Sequence, residues 1–222
     1  MMGRLDRENV WKLISIVELL IASTVIVLDL FIPTIIILGI MAISLLIRKE
    51  KLQTLGFRKN SNWLKMVVTI IVLVIVWTLL HLSIFIPVLN HLTGTTQDLS
   101  AFENLKGNFN QLLFFLVLTW TLAAFGEEIV YRGYLQKRIQ GLFEDTRTGI
   151  ILAVGISSLL FGLAHTEQGT IGVILTFLDA IFFSLIKIHY ENNLWAAIIA
   201  HGASNTIGLL GFFFVGPVYG LW

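Results

Sequence analysis

Glu127 and Glu128 stand side by side at the end of a stretch, Gln111 to Gly126, that contains no charged residue, and Arg132 follows four residues after the second. A carboxylate inside an apolar span costs about 3 kcal/mol even on lenient insertion scales, so a pair persists only where buried partners or chemistry compensate. Helical spacing stacks Glu128 on Arg132, acid N-terminal to base, while Glu127 points about 100° away. Glu128 and Arg132 therefore read as a buried ion pair that locks helix geometry. Glu127 has no local cation. It is either a protonated buried acid or a carboxylate facing a water-filled cavity, where it can take a proton from water.

Two further polar signals interrupt apolar stretches. Phe161 and His165 share a helical face at the end of one of them, where a histidine can be a mere capping or interfacial group. His201 and Asn205, four apart with only Gly202, Ala203 and Ser204 between them, fit hydrogen-bonding glue between helices.

The elements that must position these groups are membrane helices. Apolar residues make up 56% of the 222 and charged residues 13%, and the mean hydropathy is +0.86, which is outside the range of a soluble domain. We expect an all-α, multi-pass transmembrane bundle forming a single domain over 1–222, with a core at 109–215 and an N-terminal helical hairpin plus interfacial segment at 1–63. A span of about 20 apolar residues gives about seven crossings, six to eight being compatible. They fall near Val10–Leu28, Phe31–Ile47, Leu64–Leu89, Phe109–Arg138, Thr148–His165, Ile171–Lys187 and Leu194–Val215. Asp29 and Leu30, with Pro33 just beyond, suit a tight hairpin between the first two. The polar segment Arg48 to Asn62 is expected to lie as a helix on the interface.

With the N-terminus in the cytoplasm, alternating sides leave only Lys106 of the fifteen Lys and Arg residues outside, the bias of the positive-inside rule. Arg4, Arg7 and Lys12 precede a long apolar run without a small-residue cleavage signal, so the first span reads as a retained signal anchor. The absence of cysteine excludes disulfides and thiolate chemistry. A net charge of +1 without a basic tract argues for no nucleic-acid partner. The lipid bilayer is the expected partner. Oligomeric state is open.

Glu127-Glu128-Ile-Val-Tyr-Arg132-Gly133, then Phe161 to His165, then His201 to Asn205 occur in that order on three separate spans. The combination resembles the CPBP superfamily of intramembrane endopeptidases, the CAAX prenyl protease type II or Abi family, over about Phe125 to Asn205. The resemblance implies an enzyme of a prokaryotic cell membrane that hydrolyses a peptide bond in a membrane-associated or lipid-modified substrate. It implies that Glu127, aided by His165, activates water, that His201 and Asn205 stabilise the oxyanion, and that Glu128 and Arg132 hold Glu127 in place. A non-catalytic bacteriocin-immunity or scaffolding protein of the same fold is the alternative from another class. No cofactor is favoured. In a metalloprotease version Glu127, His165 and His201 would ligate zinc, although no His-Glu-x-x-His pair pre-forms such a site.

Two features sit awkwardly with this pattern. Asp179, mid-way along the sixth span, could pair with Arg132, bind a helix partner or hold water. Counted from the cytoplasmic ends, His201 lies about 7 residues deep and His165 about 17, a gap of roughly 15 Å that tilt, a re-entrant cavity or a fifth helix starting well outside the bilayer must close. Glu18 and His81 read as contacts within the bundle and Lys12 as a snorkelling residue. Trp11, Trp63, Trp195 and Trp222 read as interfacial anchors.

Overall fold

The computed structural model describes residues 4–143 and 146–220; Trp222 lies outside them. Among these residues every regular element is helical. We label them α1 (Arg4–Val27), α2 (Pro33–Arg48), α3 (Trp63–Thr93), α4 (Phe109–Leu142), α5 (Arg147–Leu163), α6 (Gly169–His189) and α7 (Leu194–Phe214). Within the described residues, α1, α3, α4, α6 and α7 are long and apolar enough to cross a membrane, and α2 and α5 are shorter apolar helices of 16 and 17 residues.

Local sequence explains where the helices begin. Asn62, Asn108, Thr146 and Asn193 each cap a helix by accepting a backbone N–H, from Lys65, Gln111, Gly149 and Trp195 respectively, satisfying donors that a helix start leaves orphaned. The α1–α2 connection is as tight as expected. Asp29 and Phe31 take positive φ, the Leu30 N–H reaches back to the Val25 carbonyl, and Pro33 opens α2. Two helices depart from regular α geometry: α3 has a π turn at His81–Phe85, and α4 has π segments at Thr119–Glu127 and Ile129–Leu135, with Glu128 between them. Such bulges concentrate at functional sites.

The molecule is apolar outside and polar within. Leu13, Leu20, Leu46, Leu64, Ile151 and Phe214 are each more than 60% exposed, whereas Glu128 and Arg132 are at 0% and 1%. That inversion suits a lipid solvent. The α1–α2 hairpin packs Ala22, Ile26, Ile37 and Met41 onto Ala124, Tyr131 and Tyr134 of α4. A second core sets Met66, Ile70 and Val74 of α3 against Ala196, Ala197 and Ala200 of α7, small residues that let helix backbones approach.

The segment between α2 and α3 differs from expectation. In place of an interfacial helix it makes one 3-10 turn, Leu52–Leu55, and then tucks under the bundle. Leu55 is buried, the Leu194 N–H donates to the Gly56 carbonyl at 2.8 Å, and Phe57 packs against Phe125 and Trp195. Gly56, at φ 109°, lies close enough to the Asn192 carbonyl that a Cβ would meet it at 2.8 Å. Polarity alone suggested a surface helix; the apolar residues Leu55 and Phe57 find a core instead. Trp195 accordingly packs among aromatic rings, with Trp63 and Phe125 as well as Phe57, rather than serving as an isolated anchor.

The apparent depth mismatch also resolves. Gln136 of α4 donates to Ser157 of α5 at 3.1 Å and to Ser184 of α6 at 2.7 Å, which places these three residues at one level. Eight residues along α5 leads to His165 and eight back along α4 leads to Glu128, so each climbs about 12 Å. Leu194, where α7 begins, packs on Gly133, and seven residues of α7 raise His201 by about 10 Å. The first turns of α5 lie below this layer. Its start at Arg147 is roughly 20 Å deeper than the start of α7, so a low-starting fifth helix closes the gap.

Candidate active site

Glu128, at the junction of the two π segments, organises the centre. Its Oε1 accepts from Arg132 at 2.8 Å and from His201 Nδ1 at 2.8 Å, so the ion pair foreseen along α4 also ties α4 to α7. The partner it orients directly is therefore His201 and not Glu127. Aromatic faces enclose the pair. The Arg132 guanidinium sits over the Phe161 ring at 4.5 Å, and the His201 ring stacks on Phe183 at 4.9 Å. Tyr131 and His165 also pack on Phe161, at 5.0 and 4.7 Å. The neighbouring α6 contributes Lys187, whose ammonium donates to the Arg132 carbonyl and to the Gln136 side chain.

Glu127 faces the other way. Its carboxylate lines a cavity of about 390 Å³ together with His165, His201, Ser204 and Asn205, and Oε2, without a hydrogen-bond partner in the protein, stands 4.0 Å from His201 Nε2. His165 lies just past the end of α5 and keeps its place because Nδ1 is hydrogen-bonded to the Phe161 carbonyl at 2.8 Å. If that nitrogen carries the proton, Nε2 is left with its lone pair. All four residues singled out for chemistry line this one cavity, and the two supporting residues lie behind His201. Much of the remaining wall is apolar, with Phe115, Leu118, Leu122, Leu175, Leu209 and Phe212.

Residues 109–207 match the family model described as Type II CAAX prenyl endopeptidase Rce1-like. Over this segment the chain is similar to the Rce1-like family. No curated protein and no solved structure matches the chain. The Rce1-like segment contains Glu127, Glu128, Arg132, His165, His201 and Asn205. The α1–α2 hairpin and α3 lie outside the match, yet α3 supplies His81 and Ile86 to the cavity wall.

Two structural residues of this centre are not signalled by the sequence. Phe183 is the plate on which His201 stacks, and Trp120 lies over Gly202 so closely that a Cβ there would meet its ring at 2.5 Å. Aromatic residues in apolar spans give no signal of their own. Asp179 does not reach Arg132. It accepts from Trp77 Nε1 at 2.6 Å and lies 3.5 Å from His81 Nε2, a link to α3 on the cavity wall. Glu18 joins Arg48 at 3.1 Å and Arg138 at 3.5 Å, as an internal bundle contact should.

Among the described residues no three His, Asp or Glu side chains converge to hold an ion. His201 has Nδ1 bonded to Glu128, and its Nε2 and Glu127 alone do not make a site. The residues present do not fit a three-ligand zinc centre, and we derive no step through one.

Proposed function

We propose that the protein is an intramembrane endopeptidase that cleaves a membrane-associated peptide, lipid-modified or not. The observation that carries this reading is the Glu127 carboxylate, bare on its cavity side and facing His201 Nε2 across 4.0 Å. A water held between Glu127 and His165 gives a proton to Glu127 as its oxygen adds to the scissile carbonyl. The oxyanion then lies against His201 Nε2 and the Asn205 amide, donors that act strongly in a dry site. With His201 Nδ1 held by Glu128, Nε2 is the ring nitrogen that faces the cavity, and it is a donor when the ring is protonated. Collapse of the intermediate breaks the C–N bond, and Glu127 returns the proton to the departing amine. Arg132, paired with Glu128 at 2.8 Å, fixes the carboxylate that holds His201.

In the same reading the chain crosses the membrane seven times, α2 and α5 included, with its N-terminus in the cytoplasm. Single cysteines placed at Lys59, Gln140 and Glu191 should be labelled from the cytoplasm, and at Gln97 and Gln168 from outside. Labelling of Lys59 and Gln97 from one side would refute the count. The activity is tested with purified protein and membrane-anchored reporter peptides, prenylated and unmodified. Cleavage of either, lost in Glu127→Gln, supports the assignment; cleavage of neither, in protein that remains folded, overturns it.

A further inference from the structure

On the basic face of the bundle, below the Gln136 layer, lies a second cavity of about 310 Å³. Arg58, Lys137 and Lys187 line it, with Thr54, Gln140 and Asn192, and no acidic residue does. The carboxylates nearby are already shared. Glu18 bridges Arg48 and Arg138, and Glu50 bridges Lys137 and Arg138. Burial pushes the Glu50 carboxyl up, but the Lys137 and Arg138 hydrogen bonds outweigh it and hold it below the usual range, as expected of an acid serving two cations. Arg58 and Lys187 are left without a carboxylate at ion-pair distance among the described residues. Lys187 is only 8% exposed, and its two hydrogen-bond acceptors, the Arg132 carbonyl at 2.5 Å and the Gln136 amide oxygen at 3.2 Å, are neutral. An ammonium has three donors, and a buried one without a counter-charge is costly.

We propose that this pocket binds a phosphate group, presented by the head group of an anionic phospholipid. A tetrahedral oxyanion supplies several acceptors and the missing negative charge, matching the Arg58 fork and the Lys137 and Lys187 ammonium groups. Basic pockets between helices on a membrane's charged side recognise such head groups. Leu52, on the same 3-10 turn as Thr54, is exposed and offers apolar surface for an acyl chain. The site does not depend on the protease reading. Its reach into the centre is short, because Lys187 grips the carbonyl of Arg132, the residue that pairs with Glu128.

The test uses the purified full chain in neutral detergent, with melting temperature read against short-chain phosphatidylglycerol, short-chain phosphatidylcholine and inorganic phosphate. Phosphatidylglycerol should raise the melting temperature saturably and phosphatidylcholine should not. The double variant Arg58→Gln/Lys137→Gln should bind roughly ten-fold more weakly, while Lys51→Gln/Lys59→Gln, the same charge loss outside the pocket, should bind like the parent. Arg58→Gln alone, at an exposed position, gives the same direction should the double variant fold poorly. An equal rise with inorganic phosphate supports the anion site and makes free phosphate its occupant. The proposal is overturned by no response to either phosphate ligand, by an equal response to phosphatidylcholine, or by equal weakening in the two double variants.

Discussion

Two acid–base clusters in this protein use the same residue types to different ends. Around Glu128, one carboxylate with no exposure holds Arg132 and His201 between the rings of Phe161 and Phe183. At the basic face, Glu18 and Glu50 bridge Arg48, Lys137 and Arg138 with side chains up to 31% exposed. The second cluster shares every acid between two cations and leaves little for chemistry, as a staple between α1, α2 and α4 should. The first leaves Glu127 beside it unpaired. A buried charge is informative when its neighbour has no partner, more than when it has several.

The contrast can be broken by mutation, the largest effect being on turnover. Glu127→Gln should lower peptide cleavage by about 10³-fold while leaving the melting temperature near that of the parent, since the amide fills the same volume and the Oε2 it replaces makes no hydrogen bond within the protein; substantial residual cleavage removes Glu127 as the base. Glu128→Ala should cost about 3–5 kcal/mol in stability by stranding Arg132, and adding Arg132→Ala should restore part of it. An unchanged denaturation midpoint for Glu128→Ala would show that the inner cluster is no more than another staple. Glu18→Ala, in the outer cluster, should cost roughly 2 kcal/mol, between the surface and buried limits, and leave the rate per folded molecule unaltered. Glu50 gives the smallest effect, visible through pH. Its folded-state carboxyl is held low, so its contribution is present above the ordinary glutamate range and lost as pH falls through the lowered value; Glu50→Gln should therefore flatten the acid limb of a stability profile. Chelators should change neither cluster nor the rate, and loss of activity on chelation with recovery on adding zinc would overturn the side-chain mechanism.

The charged part of the centre was legible because a carboxylate in an apolar span stands out by its cost. Glu127, Glu128 and Arg132 stand out in that way, whereas His165, His201 and Asn205 are singled out only by the combination of the three motifs. Phe161 as a hub and Phe183 as a plate do not, because a phenyl ring among leucines is ordinary. Which of three devices brings His165 level with His201 was left open by the sequence, because Gln136, Ser157 and Ser184 set the level of α5 through tertiary hydrogen bonds. The turn at Leu52–Leu55 was missed for a related reason: its backbone is held by Leu194, more than a hundred residues away. The resemblance seen in three short motifs agrees with the family match over 109–207.

The π segment Thr119–Glu127 makes the upper half of α4 a register-tolerant splice. A π bulge holds one residue more than the α-helix it interrupts, so the chain has a surplus residue just outside the centre. Removing Leu122 should let the backbone close to regular α pairing with the helix on either side kept in register, so that the shift is confined to the segment itself. Trp120 lies within that segment, so the local shift would disturb its packing on Gly202 and its hydrogen bond to Thr206. A single-codon deletion is thus a way to redraw the apolar wall of the cavity beside Glu127 without disturbing the groups behind it.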